Sequence, residues 1–106
     1  MSELQKEPRA NIELIGGNTL RVSGELSFKT VPSLVDRNKD FLRDGNSIDI
    51  DLDDVNRADS AGVALLIEWQ RQALKQNKSI CFINIPSQML AIVRLCGVDD
   101  LLSLKN

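Results

Sequence analysis

The 106-residue chain contains no histidine. A serine or cysteine nucleophile would therefore lack its usual base, and a metal site its commonest nitrogen ligand. Cysteine is scarce as well. Cys81 and Cys96 sit inside apolar patterns, CFINI and IVRLC, at a spacing that matches no zinc motif. Both are expected to be buried, reduced, structural thiols. No window approaches the roughly 18 uninterrupted apolar residues of a membrane span. The N-terminal MSELQKEPRAN is polar and lacks the apolar core of a secretion signal. A cytoplasmic location follows as the expectation. The formal net charge of −2 supplies no clustered basic surface for nucleic acid. No phosphate-cradling G-x-x-x-x-G-K-[ST] motif and no metal-ligand cluster occur, so neither a cofactor nor a metal is expected.

What remains is an ordinary globular composition, 42% hydrophobic and 26% charged, in a length that suits one core. Residues 1–10 read as a flexible start and residues 11–106 as a single domain. NIELI at 11–15 and TLRVSG at 19–24 alternate apolar and polar residues, as half-buried strands do. Between them GGN tolerates the positive φ of a hairpin. From Thr30 to Arg43 the period becomes helical. Val31, Leu34, Val35, Phe41 and Leu42 share a stripe, Thr30 is placed as an N-cap, and Pro32 falls in the first turn. Asp44-Gly45-Asn46 is expected to stop that helix.

SIDIDLDDV at 47–55 then sets Ile48, Ile50 and Leu52 on one strand face and Asp49, Asp51 and Asp53 on the other. A calcium loop counted from Asp49 fails, because Asp54 stands where the turn glycine belongs and Ser60 where a bidentate glutamate belongs. The alternation instead predicts a strand with a solvated acidic face. A second helix is expected from Ser60 to Asn77 and a strand over SICFINI. A third helix opens at Pro86-Ser87, with Met89, Ile92, Val93 and Cys96 on one side and Gly97 as its terminator. DDLLSL reads as a short last helix that packs Leu101 and Leu102. Strands alternating with helices require crossovers. The fold expected is therefore α/β, a mixed, mostly parallel sheet of four to five strands with an opening hairpin and about four helices.

NRADSAGVALLIE at 56–68 stands out, because a polar Asp-Ser pair runs straight into an apolar helix. With Val63 at the reference angle and about 100° per residue, Trp69, Gly62, Ala73, Leu66, Leu74 and Ile67 join it on the core arc. Glu68, Arg71, Gln72 and Lys75 lie opposite. Ala61, Ala64 and Leu65 fall outside the core arc near the helix start. They are either good helix formers leaning on a neighbour, or part of a docking patch ringed by Arg57, Asp59 and Ser60. Phe28 and Thr30 are the alternative place for a partner surface. Ser60 has three readings. It caps the helix or sits in its first turn, for about 1 kcal/mol. It accepts a phosphate, placing roughly −1.5 to −2 charges where the helix dipole favours them. Or it is a nucleophile, for which no base and no G-x-S-x-G motif are present.

A strand ending in acidic residues and followed by RADSAGVALL resembles the signature loop of the STAS domain. That fold is shared by anti-sigma factor antagonists and sulfate transporter tails. The resemblance spans about Asn11 to Leu102. SGELSFKTVPSL at 23–34 and FINIPSQMLAIVRLCGVDDLL at 82–102 are similar to the MlaB branch of that family, cytoplasmic subunits of phospholipid-transporting ABC systems. The resemblance implies a non-catalytic module seated on an ABC ATPase of the MlaF type. A permease of the MlaE type and a lipid-binding MCE protein of the MlaD type complete such a complex, which holds the subunit at the inner membrane. It also implies an alternative, an anti-sigma factor antagonist regulated by phosphorylation of Ser60.

Overall fold

Alternation of strand and helix is what the computed structural model shows, over the residues it describes, 8–35 and 47–105. The order is β1 (Ala10–Leu14), β2 (Thr19–Leu26), α1 (Val31–Leu34), β3 (Ser47–Ala58) and α2 (Ser60–Lys75). Then follow β4 (Ser79–Ile83), α3 (Ser87–Leu95), a single 3-10 turn (Asp99–Leu101) and β5 (Leu104–Lys105). The five strands form one sheet in the order β1-β2-β3-β4-β5. β1 pairs antiparallel with β2, and every later neighbour is parallel. The opening hairpin turns through Gly16 and Gly17, both at positive φ, with the Thr19 N–H donating to the Gly16 carbonyl at 2.9 Å. Residues 1–7 lie outside the described residues, as do Phe41, Leu42, Arg43 and the Asp44-Gly45-Asn46 stop. Among the described residues no helix is long and apolar enough to cross a membrane.

The period-2 pattern places the core. Leu20, Ile50 and Phe82 are register partners across β2, β3 and β4, and all three are buried. Ile12 faces Val22 across the hairpin and is buried with it. α2 closes this face with Val63, Leu66, Trp69 and Ala73, and Met89 and Val93 of α3 complete it. On the other face the expected solvated acidic row is only partly so. Asp51 is 8% exposed, within 3.8 Å of the Arg21 guanidinium, and accepts the Asp53 N–H and the Asn84 side-chain N–H. A buried carboxylate persists because these donors replace its water.

Further expectations are corrected by the packing. Leu65 is 1% exposed, whereas Leu74, assigned to the core arc, is 67% exposed. The buried arc of α2 runs from Leu65 through Trp69 and Ala73 to Val63, rotated about 40° from the one expected. Its flanks are packed by α1 and α3, so the sheet alone does not set its orientation. Cys81 is half-buried and Cys96 exposed. Cys96 is the C-cap of α3, in a stretch from Arg94 to Gly97 that is exposed throughout, past the part of the helix that covers the core. Gly97 ends α3 with φ 71°, as expected. The DDLLSL helix is one 3-10 turn, with Leu102 buried and Leu101 exposed. It leads into β5, which is too short to carry a readable alternation.

Candidate functional site

Parallel neighbours deliver their following loops to the same end of a sheet. β2 and β3 are such a pair, with Leu26 opposite Ala58. The loop after β2, residues 27–30, therefore meets the turn that leads from β3 into α2. Two hydrogen bonds tie the turn to the end of β2 and to this loop. The Asp59 N–H donates to the Leu26 carbonyl at 3.0 Å, and the Phe28 N–H donates to Asp59 Oδ2 at 3.3 Å.

Asp59 caps α2. It has extended backbone angles, φ −120° and ψ −169°, and its Oδ1 accepts the Ala61 N–H at 2.8 Å. The capping role considered for Ser60 thus falls to its neighbour, and Ser60 is the exposed first residue of the helix. Both oxygens of Asp59 are engaged by backbone N–H groups, which commits the side chain to holding the turn. Gly62 follows for a steric reason. A Cβ there would lie 2.8 Å from the Leu26 carbonyl oxygen and 2.9 Å from the Leu26 Cβ. The helix can start this close to β2 only without a side chain at that point.

The loop after β2 is equally tied down. Thr30 is 5% exposed, and its Oγ1 accepts the Ser27 N–H at 3.0 Å and donates to the Glu25 carbonyl at 2.7 Å. Its backbone stands at the N-cap of α1, but the side chain makes no capping bond. Thr30 therefore braces the loop and offers a partner nothing. Phe28, by contrast, is 69% exposed.

These elements frame a cleft of about 660 Å³, lined by Glu25, Phe28, Lys29, Arg57, Asp59, Ser60, Gln88 and Ile92 among others. Of the residues singled out in the sequence, Arg57, Asp59, Ser60 and Phe28 come together here. Ala64 is exposed on α2 and Ala61 half-buried, while Leu65 and Thr30 are buried and excluded from any surface. Gln88, Ile92, Glu25 and Lys29 were missed. Gln88 carried a signal, since it and the 88%-exposed Leu95 recur at i, i+7 on the side of α3 away from Met89 and Val93. Ile92, expected on the Met89 side, is half-buried at the edge of the core and reaches the cleft from there. Glu25 and Lys29 carried none.

Residues 15–103, nearly the whole of the described chain, match the family described as the MlaB STAS domain. The chain belongs to the STAS domain family. Within it, the chain is 33% identical over 86 residues to the intermembrane phospholipid transport system binding protein MlaB of Haemophilus influenzae. That alignment covers 77% of this chain and 82% of the relative.

Solved STAS structures superpose on most of the chain. The anti-sigma factor antagonist SpoIIAA in its unphosphorylated form gives a TM-score of 0.68 at 16% identity, over 92% of this chain and 88% of that one. An anti-sigma factor antagonist from Mycobacterium paratuberculosis gives 0.70 at 20% identity, over 92% and 85%. The phosphorylated form of SpoIIAA from Bacillus gives 0.64 at 17%, over 92% and 91%. At these identities the likeness establishes the fold. The Asp59–Gly62 stretch, with its cap, exposed serine and close-packed glycine, lies inside the family match.

Proposed function

We propose that the chain is a non-catalytic accessory subunit of an ABC-type intermembrane phospholipid transporter. It docks on the ATPase through the face built around Phe28, Arg57, Ser60 and Ala64. The observation that carries this reading is the 33% identity to MlaB across most of both chains. The site agrees with it. Asp59 is occupied as a structural cap, and an exposed aromatic stands beside a braced turn, an arrangement suited to protein contact. In this reading the permease and a lipid-binding MCE protein belong to the same complex. The subunit sits at the cytoplasmic side of the inner membrane through the ATPase.

The test is co-purification with an ABC ATPase of the MlaF type from the same cells. Phe28→Asp and Ala64→Asp should keep the wild-type circular dichroism and melting temperature yet lose the partner. A charge buried at an interface centre costs about 2 kcal/mol or more. Retention of the ATPase by both folded variants would sink the proposed face.

One observation favours a second reading, an anti-sigma factor antagonist. Ser60 is exposed at the first position of α2, open to a kinase, and the fold relatives include a phosphorylated antagonist. Intact-mass analysis of protein from its native cells separates the two. Near-complete phosphate on Ser60 supports the antagonist, whereas an unmodified chain that carries the ATPase supports the transporter subunit.

A further inference from the structure

β3 outruns its neighbour. Its pairing with β4 ends at Asp51 opposite Ile83, yet β3 continues to Ala58 with β2 as its paired strand on the other side. The backbone groups on the β4 side of that extension need other partners. Asn84, at φ 57°, turns the chain out of β4 and donates its side-chain N–H to Asp51. Ile85 is buried, Pro86 stands at the N-cap position of α3, and from the second residue of that helix Gln88 reaches back to β3. The Ala58 N–H donates to Gln88 Oε1 at 3.2 Å, and Gln88 Nε2 donates to the Ala58 carbonyl at 2.8 Å. One side-chain amide thus offers Ala58 the donor and acceptor that a sixth strand would offer. A carboxylate lacks the donor, an ammonium lacks the acceptor, and asparagine is one methylene shorter.

We infer that Gln88 is a positioning residue for the docking turn. Pairing with the Ala58 peptide fixes the direction in which Arg57, Asp59 and Ser60 leave the sheet. On the opposite side the Asp59 N–H is held by Leu26, so the turn is gripped from both of its flanks. The inference deepens the docking reading and rests on it for its consequence, because a turn that wanders presents Ser60 and the α2 start to the ATPase less often. α3 thereby acts on the site from its own buried anchorage, Met89 and Val93.

The experiment uses the full chain, isotope-labelled for NMR, with Gln88→Met, which keeps the length and loses both bonds, and Gln88→Glu, which keeps the acceptor alone. In Gln88→Met the Ala58 N–H should exchange at least about fivefold faster, as loss of a hydrogen bond implies, while the Ile50 and Phe82 amides hold their wild-type rates. ATPase affinity should fall by a similar factor. In Gln88→Glu the carboxyl regains a donor only when protonated. The difference between variant and wild type at the same pH in the Ala58, Asp59 and Ser60 signals cancels the shared titration of the Asp59 carboxylate. That difference should shrink as pH falls from about 7 to about 4. A side chain that merely packs, or that touches the partner directly, gives no such narrowing. Unchanged Ala58 exchange in Gln88→Met, exchange raised equally throughout the sheet, or undiminished ATPase affinity would each overturn the inference. If the wild-type chain fails to bind the ATPase, the docking reading fails separately, and the exchange and pH measurements still decide the role of Gln88.

Discussion

The carboxylate of Asp59 holds the backbone of Phe28 at 3.3 Å while its other oxygen caps α2 through Ala61 at 2.8 Å. One side chain therefore starts the helix and sets the position of the exposed aromatic on the neighbouring loop. Asp59→Ala should cost about 1–2 kcal/mol, a lost cap plus a lost loop bond. Asp59→Asn, which keeps one good acceptor, should recover part of it. Urea unfolding measures both, and an Asp59→Ala variant as stable as wild type would show that the cap contributes nothing.

Gly62→Ala sets helix propensity against packing. Alanine is favoured over glycine by about 1 kcal/mol in a helix interior. The added Cβ, however, meets the Leu26 backbone at 2.8 Å, and a strand carbonyl inside the sheet does not move aside cheaply. Overpacking of this kind costs about 1–3 kcal/mol. A net loss in denaturant midpoint is expected, and a gain would mean that α2 lifts from β2 without penalty.

Leu65 and Ala64 are adjacent in sequence and opposite in environment. Leu65 is 1% exposed, so Leu65→Asp should unfold the domain as Val63→Asp does. Ala64→Asp, on the exposed side, should change stability by no more than about 0.5 kcal/mol. Melting curves of the three variants are sufficient. A folded Leu65→Asp protein would contradict the packing of α2 between its flanking helices.

Glu68 carries the acid dependence of α2. The Arg71 guanidinium, at 2.6 Å, and the Gln72 amide hydrogen-bond its carboxylate and lower its pKa from 4.5 to about 2. A carboxylate depressed in the folded state stabilises above its unfolded pKa and loses that contribution as pH falls through the folded one. The window is pH 4.5 down to about 2. Because the side chain is 32% exposed, solvent screening limits the contribution to about 0.5 kcal/mol. The stability gap between wild type and Glu68→Gln should be constant near neutrality and close within that window. A gap that widens on acidification would be inconsistent with the pair.

How much of the site was legible follows from where each signal lives. Asp59, Ser60 and Gly62 were visible because a polar pair running into an apolar helix is a local pattern. The exposure of Phe28 depends on a loop that Thr30 braces from within, and no spacing announces that brace. Gln88 was invisible in its role, since its partner Ala58 lies far along the chain and is reached by a backbone contact that any residue type could receive.

The sequence by itself determined the alternation of strands and helices, the opening hairpin, the faces of Leu20, Val22, Ile48 and Ile50, and the place where Gly97 ends a helix. Periods of 2 and 3.6 and the tolerance of glycine for positive φ are properties of neighbouring residues, so they survive without a fold. Only the tertiary structure decided that Leu65 is buried and Leu74 exposed, that Asp51 is shielded by Arg21 and Asn84, and that Cys96 overhangs the core. A helix wheel gives the width of an apolar arc but not its rotation, because the rotation is set by what packs on both flanks as well as beneath. For α2 those flanks are α1 and α3, which arrive from other parts of the chain.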